Sequence, residues 1–114
     1  FPTYAATMEE LYRKRREVLM AAYDAGVELY VGSDGGGTAR HGYLHEEIEA
    51  MVDMGLPPAY VLGGASWRAR GWLGRDATLE EGTPADFVVY PRDPIADLGV
   101  LREPACVVLR GSVR

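Results

Sequence analysis

The chain of 114 residues contains little cysteine, lysine or histidine. Its single cysteine, Cys106, excludes a disulfide scaffold and a zinc site built from several thiolates. Its single lysine, Lys14, is the one candidate for an amine base or a Schiff-base former. No apolar run approaches the ~18 residues of a membrane span, and the N-terminus has no signal-peptide core. We therefore expect a soluble protein without a membrane partner, in a reducing compartment such as the cytoplasm.

The charge and the length exclude two further classes of protein. Acids outnumber bases by 17 to 12, which argues against a dedicated nucleic-acid binder, so we expect no nucleic-acid partner. The chain allows one ordinary domain but is too short for a complete (β/α)₈ barrel, which needs roughly 200 residues or more. It begins with Phe1 instead of Met, so we expect a processed or truncated chain or a piece of a larger one.

Residues 1–74 have the pattern of an α/β unit. A capping box with Thr7 at N-cap predicts the start of the first helix, and Gly26 predicts its end. The β-branched and aromatic residues of 27–31 predict a parallel-type strand. Apolar spacing then predicts a helix from Leu44 to Gly55 and one continuous helix from Pro58 to Leu73. A single strand makes no sheet, so this part requires partner strands from elsewhere.

Residues 75–114 change to a β pattern. Strands are predicted over 85–90 and 105–109, and Gly111 predicts a turn into a last short piece. Too few strands are present to close a sandwich. The chain therefore divides into two unequal parts, 1–74 and 75–114.

A glycine-flanked aspartate, Asp34, follows the predicted strand. Parallel α/β folds place their chemistry just beyond the carboxyl ends of strands, so Asp34 is a candidate metal ligand or general base. Gly35 and Gly36 would let a ligand approach the backbone closely. Two alternatives stay open: an ordinary Ser-Asp-Gly turn, and phosphate or anion binding by the loop 32–37, although its spacing matches neither common phosphate-binding motif.

Two histidines follow this loop, at His41 and His45. A spacing of four residues would place both on one helix face, where they could bind zinc. The two known zinc signatures require a glutamate at positions that Gly42 and Leu44 occupy, so the pattern does not favour a local zinc pair. His41 is better interpreted as a residue of a substrate pocket, and His45 as a solvated helix residue.

The order of several motifs resembles the C-terminal part of the amidohydrolase superfamily, specifically the imidazolonepropionase-like and Xaa-Pro dipeptidase-like group. The resemblance covers nearly the whole chain from about Ala25 onward. It rests on Ala25-Gly26-Val27, Gly32-Ser33-Asp34, His41-Gly42, Glu47-Ile48, Gly55-Leu56-Pro57, Leu73-Gly74, Leu79 to Gly82, Ala85 to Tyr90, Asp93-Pro94 and Val107 to Gly111.

The resemblance implies the end of a distorted (β/α)₈ barrel in 1–74 and the closing strands of a small β-sandwich domain in 75–114. It implies hydrolysis of a C–N bond in a small-molecule substrate by metal-activated water, with Asp34 as metal ligand and proton shuttle. His41 would match a histidine that often lies near the substrate pocket. Gly35 and Gly36, whose backbone a ligand could approach closely, are the other candidate substrate contacts.

The group's other metal ligands, a His-x-His pair among them, cannot be located here. One or two divalent ions, zinc by preference, would bind there, and ligands outside this chain would complete their coordination. The implied partner is therefore an N-terminal barrel portion, from the same parent chain or a companion subunit, and the fragment alone should be inactive. A non-catalytic subunit that completes another chain, and self-association into a homo-oligomer, stay open.

Overall fold

A computed structural model describes residues 2–114, and the expectation drawn from Phe1 lies outside that range. The principal extents are 54 × 31 × 27 Å and the radius of gyration is 16.5 Å. A compact domain of this length would have a radius of gyration of about 13 Å. The molecule is therefore elongated, because its first helix extends away from the remaining elements and buries no residue.

The first helix, α1, spans Pro2–Asp24. Its start contradicts the predicted capping box. Thr7 lies inside the helix, and its hydroxyl donates to the carbonyl of Thr3 (2.8 Å) instead of capping a free N–H. Proline fits the first helical turn because its missing N–H would have no intrahelical partner there. The predicted end is confirmed: Gly26 has a φ of +80°, and the next N–H returns to the carbonyl of Ala22 (2.9 Å).

Residues 27–31 are not assigned as a strand, so that prediction is wrong for this chain by itself. A strand is defined by a paired neighbour, and no segment among residues 2–114 pairs with this one as a strand. Without a paired neighbour in 2–114, the segment is irregular.

Three further helices follow: α2 (Leu44–Asp53), α3 (Pro58–Ala65) and α4 (Trp67–Trp72). The predicted end of α2 is confirmed, because Gly55 has a φ of +117° and the N–H of Leu56 donates to the Met51 carbonyl (3.3 Å). The predicted continuous helix from Pro58 to Leu73 is wrong. It breaks at Ser66, which has φ −142° and ψ −99° and whose hydroxyl donates back to the Leu62 carbonyl (2.6 Å).

The hydrophobic core lies between α2 and α3. It consists of Ile48, Met51, Leu56, Val61 and Leu62. A 3₁₀ helix, Leu98–Arg102, that was not predicted packs on it through Leu98 and Leu101. Its Arg102 pairs with Glu49 of α2, with Nη2 and Oε2 2.7 Å apart, and this hydrogen bond lowers the pKa of Glu49. This packing joins residues on both sides of the predicted domain boundary near residue 74. The boundary itself stays a prediction.

A three-stranded antiparallel sheet forms the tail, in the order β1 (Phe87–Val89), β2 (Cys106–Leu109) and β3 (Ser112–Val113). The predicted strands are thus confirmed, the first at half its predicted length and the second one residue shorter. Arg110 and Gly111 have φ values of 51° and 76°, as a type I′ hairpin turn requires. None of the helices found in 2–114 has both the length and the apolar character needed to cross a membrane.

Candidate active site at the glycine loop

Asp34 lies where residues 27–31 lead into the glycine loop. Its φ is 49°, in the left-handed region that aspartate tolerates better than most residues. The residue is exposed, and its carboxylate forms no ion pair within residues 2–114. The fold therefore exposes a carboxylate to solvent at the carboxyl end of an anchored segment. Its backbone is strained, and strain of this kind often marks a functional site.

The glycine loop closes tightly after Asp34. Gly35 and Ala39 form an isolated bridge, and the Gly36 N–H donates to the Ala39 carbonyl (3.1 Å). The imidazole of His41 lies against this turn. A Cβ on Gly35 would lie 3.1 Å from His41 Nδ1, and a Cβ on Gly36, whose φ is +110°, would lie 3.3 Å from His41 Cε1. The structure thus brings Gly35, Gly36 and His41 together beside Asp34.

His45 occupies a different place. It lies in α2, where its ring is 6.1 Å from that of Tyr43. Across residues 2–114, no three His, Cys, Asp or Glu side chains come together as a metal site would require. Because a catalytic zinc takes three protein ligands, a complete metal site does not fit this chain alone. Asp34 can contribute one ligand.

An open groove of about 500 Å³ adjoins the loop. It is lined by Ser33, Ala39, Arg40, Tyr43, Glu46, Glu47 and Ala50. Asp34 and His41 are not among its walls, but each is next in sequence to a residue that is. Sequence reasoning missed Arg40 and Tyr43, because a single arginine and a single tyrosine after a loop carry no motif.

The segment that carries Asp34 is anchored by α3 and α4. Tyr60 Oη accepts the Leu29 N–H (3.0 Å), and Arg68 donates to the Leu29 carbonyl (3.1 Å) and to Glu28 Oε2 (2.6 Å). The Arg68 guanidinium also stacks on the Tyr60 ring, 3.9 Å from its centroid. Gly64 also packs closely on this segment, because a Cβ there would lie 3.2 Å from the Leu29 oxygen.

No family model matches the chain. The chain is 42% identical over 111 residues to uncharacterized proteins of Mycobacterium bovis and Mycobacterium tuberculosis. The match includes 97% of this chain and 30% of each relative, so the chain spans less than a third of the length of these curated relatives.

Three solved structures share the fold of the chain. A Xaa-Pro dipeptidase with methionine bound in its active site matches with a TM-score of 0.74 and 26% identity, over 87% of this chain and 25% of that one. A prolidase candidate from Bifidobacterium longum matches with a TM-score of 0.76 and 32% identity, over 84% and 25%. An uncharacterized protein matches with a TM-score of 0.80 and 26% identity, over 100% and 29%.

The chain is thus similar to about a quarter of a dipeptidase- or prolidase-type chain, as a mixed helical segment with a small antiparallel sheet. This similarity supports a hydrolase-like parent protein.

Proposed function

We propose that these residues are the C-terminal portion of a metal-dependent hydrolase that cleaves a C–N bond. The observation that carries the proposal is the placement of Asp34: an exposed carboxylate on a left-handed backbone, directly after the anchored segment 27–31. The similarity to a Xaa-Pro dipeptidase and a prolidase candidate supports a peptide-like amide as the substrate class. The rest of the barrel and its metal ligands would come from a longer chain or a companion subunit.

In this proposal Asp34 handles the proton of the hydrolytic water. A divalent metal ion, zinc by preference, would supply the Lewis acid, with Asp34 as one ligand among others outside this chain. Asp34 takes a proton from the attacking water and returns it to the leaving nitrogen. His41, which lies against Gly35 and Gly36 of the same loop, is the candidate substrate contact. The segment alone is expected to be inactive.

The alternative of anion binding by the loop has less support from the geometry. Phosphate loops present backbone N–H groups where a loop runs directly into a helix N-terminus. Here the loop ends at Gly37, and α2 begins only at Leu44. The Gly36 N–H is already used within the turn, and the Asp34 carboxylate would repel a phosphate.

This proposal requires a longer protein. Removing the metal from that protein and then returning it tests the proposal. Dialysis against a chelator should abolish hydrolysis of Xaa-Pro dipeptides, and added zinc should restore it. Asp34→Asn should also weaken zinc retention, measured by elemental analysis after gel filtration. Asp53→Asn is the matched control, because Asp53 is an exposed aspartate at the end of α2. A protein that hydrolyses these substrates equally well after chelation would contradict the proposal.

A further inference from the structure

Three residues whose side chains can donate hydrogen bonds lie around Gly35. A Cβ on Gly35 would lie 3.2 Å from Ser33 Oγ and 3.1 Å from His41 Nδ1, so both atoms face the same side of this glycine. The Arg40 carbonyl lies 3.5 Å from the same point, because the turn of the loop returns the chain to this glycine. Ser33, Arg40 and His41 are therefore neighbours of the residue that follows Asp34.

The side chains of these three residues have no hydrogen-bond or ion-pair partner in the part of the chain described, 2–114. By contrast, Arg68 and Arg102 are each held by a carboxylate. The Arg40 side chain is exposed, and that of Ser33 is half-buried. Their donors are thus available to a bound molecule.

Opposite charges line the adjoining groove without pairing. Ser33 and Arg40 belong to its loop side, and Glu46 and Glu47 belong to its α2 side. Among the residues described, no ion pair joins Arg40 to either glutamate. A ligand that matches both sides carries a negative group toward Arg40 and a positive group toward α2.

The proposed reaction requires a negative group of the substrate close to Asp34. In a dipeptide the carboxyl carbon of the leaving residue lies about 2.5 Å from the leaving nitrogen, because only the Cα separates them. Since Asp34 returns the proton to that nitrogen, the carboxylate has to bind nearby. Arg40 and Ser33 meet this requirement. Asp34 itself is not a wall of the groove, so its negative charge does not line the same position.

The chemistry of an arginine suits recognition of a free carboxylate. Its planar guanidinium can donate two parallel hydrogen bonds to the two carboxylate oxygens. The Ser33 hydroxyl can donate another. A C-terminal amide has no negative charge and only one acceptor oxygen, so it cannot accept both parallel bonds. The two kinds of C-terminus should therefore bind with different affinity.

We propose that Arg40, together with Ser33, binds the free α-carboxylate of the leaving residue and restricts the substrate to short peptides with an unblocked C-terminus. Arg40 is then a specificity-determining residue, and Asp34 transfers the proton. The α2 side of the groove, with Glu46 and Glu47, receives the acyl residue with its ammonium group. This inference rests on the proposed function, because it names the substrate group that the same site recognises.

Hydrolysis of alanyl-proline and of alanyl-prolinamide by the longer protein tests the proposal. Wild type should prefer the free acid by about thirtyfold in kcat/KM. Arg40→Met should lower kcat/KM for the acid by about thirtyfold, mainly through KM, and change that for the amide by less than about threefold. Arg40→Lys keeps the charge without the two parallel donors, so its preference should lie between those of wild type and Arg40→Met.

Arg75→Met is the matched control. Arg75 is exposed, lies outside the groove and makes no side-chain hydrogen bond within the described residues, so this variant should keep the wild-type preference. An unchanged preference in Arg40→Met would overturn the proposal. An equal loss on acid and amide would also overturn it, because it would show a structural role. A wild type that cleaves the amide as well as the acid would do the same.

Binding of the product L-proline separates this inference from the proposed function. In calorimetry on the longer protein, proline should bind Arg40→Met about thirtyfold more weakly than wild type, and prolinamide should bind both proteins equally weakly. Proline binding through Arg40 in a protein that hydrolyses neither substrate would support the carboxylate site and contradict the hydrolase proposal alone. Wild-type protein that binds proline no better than prolinamide, or proline binding that Arg40→Met leaves unchanged, would overturn the carboxylate site.

Discussion

His41 and Gly35 are in such close contact that a Cβ on the glycine would lie 3.1 Å from the histidine Nδ1. Gly35→Ala must therefore shift the imidazole or the turn by a few tenths of an ångström. We expect kcat/KM of the longer protein to fall by about ten- to a hundredfold, since small misplacements in an active site are costly. Gly32→Ala is the control, because a Cβ there meets nothing within 4 Å. Equal kinetics in both variants would show that this contact has no role in turnover.

The pair between Glu49 and Arg102 predicts a pH dependence for docking of the 3₁₀ helix on α2. Arg102 lowers the pKa of Glu49, so the pair stabilises the folded state above the ordinary glutamate pKa, and this contribution is lost as pH falls through the lowered value. Amide exchange of residues 98–102 should therefore be faster in Glu49→Gln than in wild type at neutral pH. The difference should vanish in acid.

The control for this pH dependence is Glu47→Gln, because Glu47 is exposed on the same helix and makes no ion pair in the part of the chain described. It should leave exchange of residues 98–102 unchanged at both pH values. A difference between Glu49→Gln and wild type that persists at low pH would show that the effect is packing and not charge.

Gly55 should be the most sensitive helix-ending glycine. Its φ is +117°, and a Cβ would also lie 3.3 Å from Met20 Sδ, so alanine is disfavoured by both conformation and space. We expect Gly55→Ala to lower the free energy of unfolding by about 1–3 kcal/mol, measured by urea denaturation. Gly37→Ala, at an open position outside the left-handed region, should cost much less. Equal losses would mean that Gly55 ends α2 without strain.

Tyr4, Met8, Leu11 and Val18 form an exposed apolar stripe on α1. This stripe predicts effects of opposite sign in the isolated segment and in the longer protein. Leu11 is 55% exposed and Val18 59% exposed. Replacing both with glutamate should make the isolated 114-residue chain more soluble and less able to bind a hydrophobic dye. The same change should destabilise the longer protein, where we expect the stripe to be covered, by roughly 2–5 kcal/mol.

Arg13→Glu, on the other side of α1, is the control for the charge change. It should neither make the segment more soluble nor destabilise the longer protein. A longer protein that tolerates the Leu11 and Val18 substitutions without loss of stability would show that the stripe stays exposed there.

The features that could be predicted from the sequence are those with local causes. Gly26 and Gly55 marked helix ends because both positions require a positive φ. The tail strands were found because alternation and turn residues act over a few positions. Asp34, Gly35, Gly36 and His41 come together because they are close in the chain. Their chemical roles stay predictions until tested.

The features that were missed depend on distant contacts or on absent partners. Tyr60 and Arg68 hold Leu29 across 31 and 39 residues of sequence, which leaves no local pattern. The capping box predicted at Thr7 was wrong, because the helix starts earlier, at Pro2, and Thr7 lies inside it. Residues 27–31 carry a strand pattern but no strand, because no other segment among residues 2–114 pairs with them as a strand.

Turnover by the longer protein with Asp34→Asn tests the central claim most directly. We predict that Asp34→Asn abolishes measurable kcat on a Xaa-Pro dipeptide while the circular dichroism spectrum and the unfolding temperature stay close to wild type. Asp53→Asn should keep wild-type kcat. An Asp34→Asn protein that retains near-normal kcat would contradict the assignment of Asp34 as the proton-transferring carboxylate.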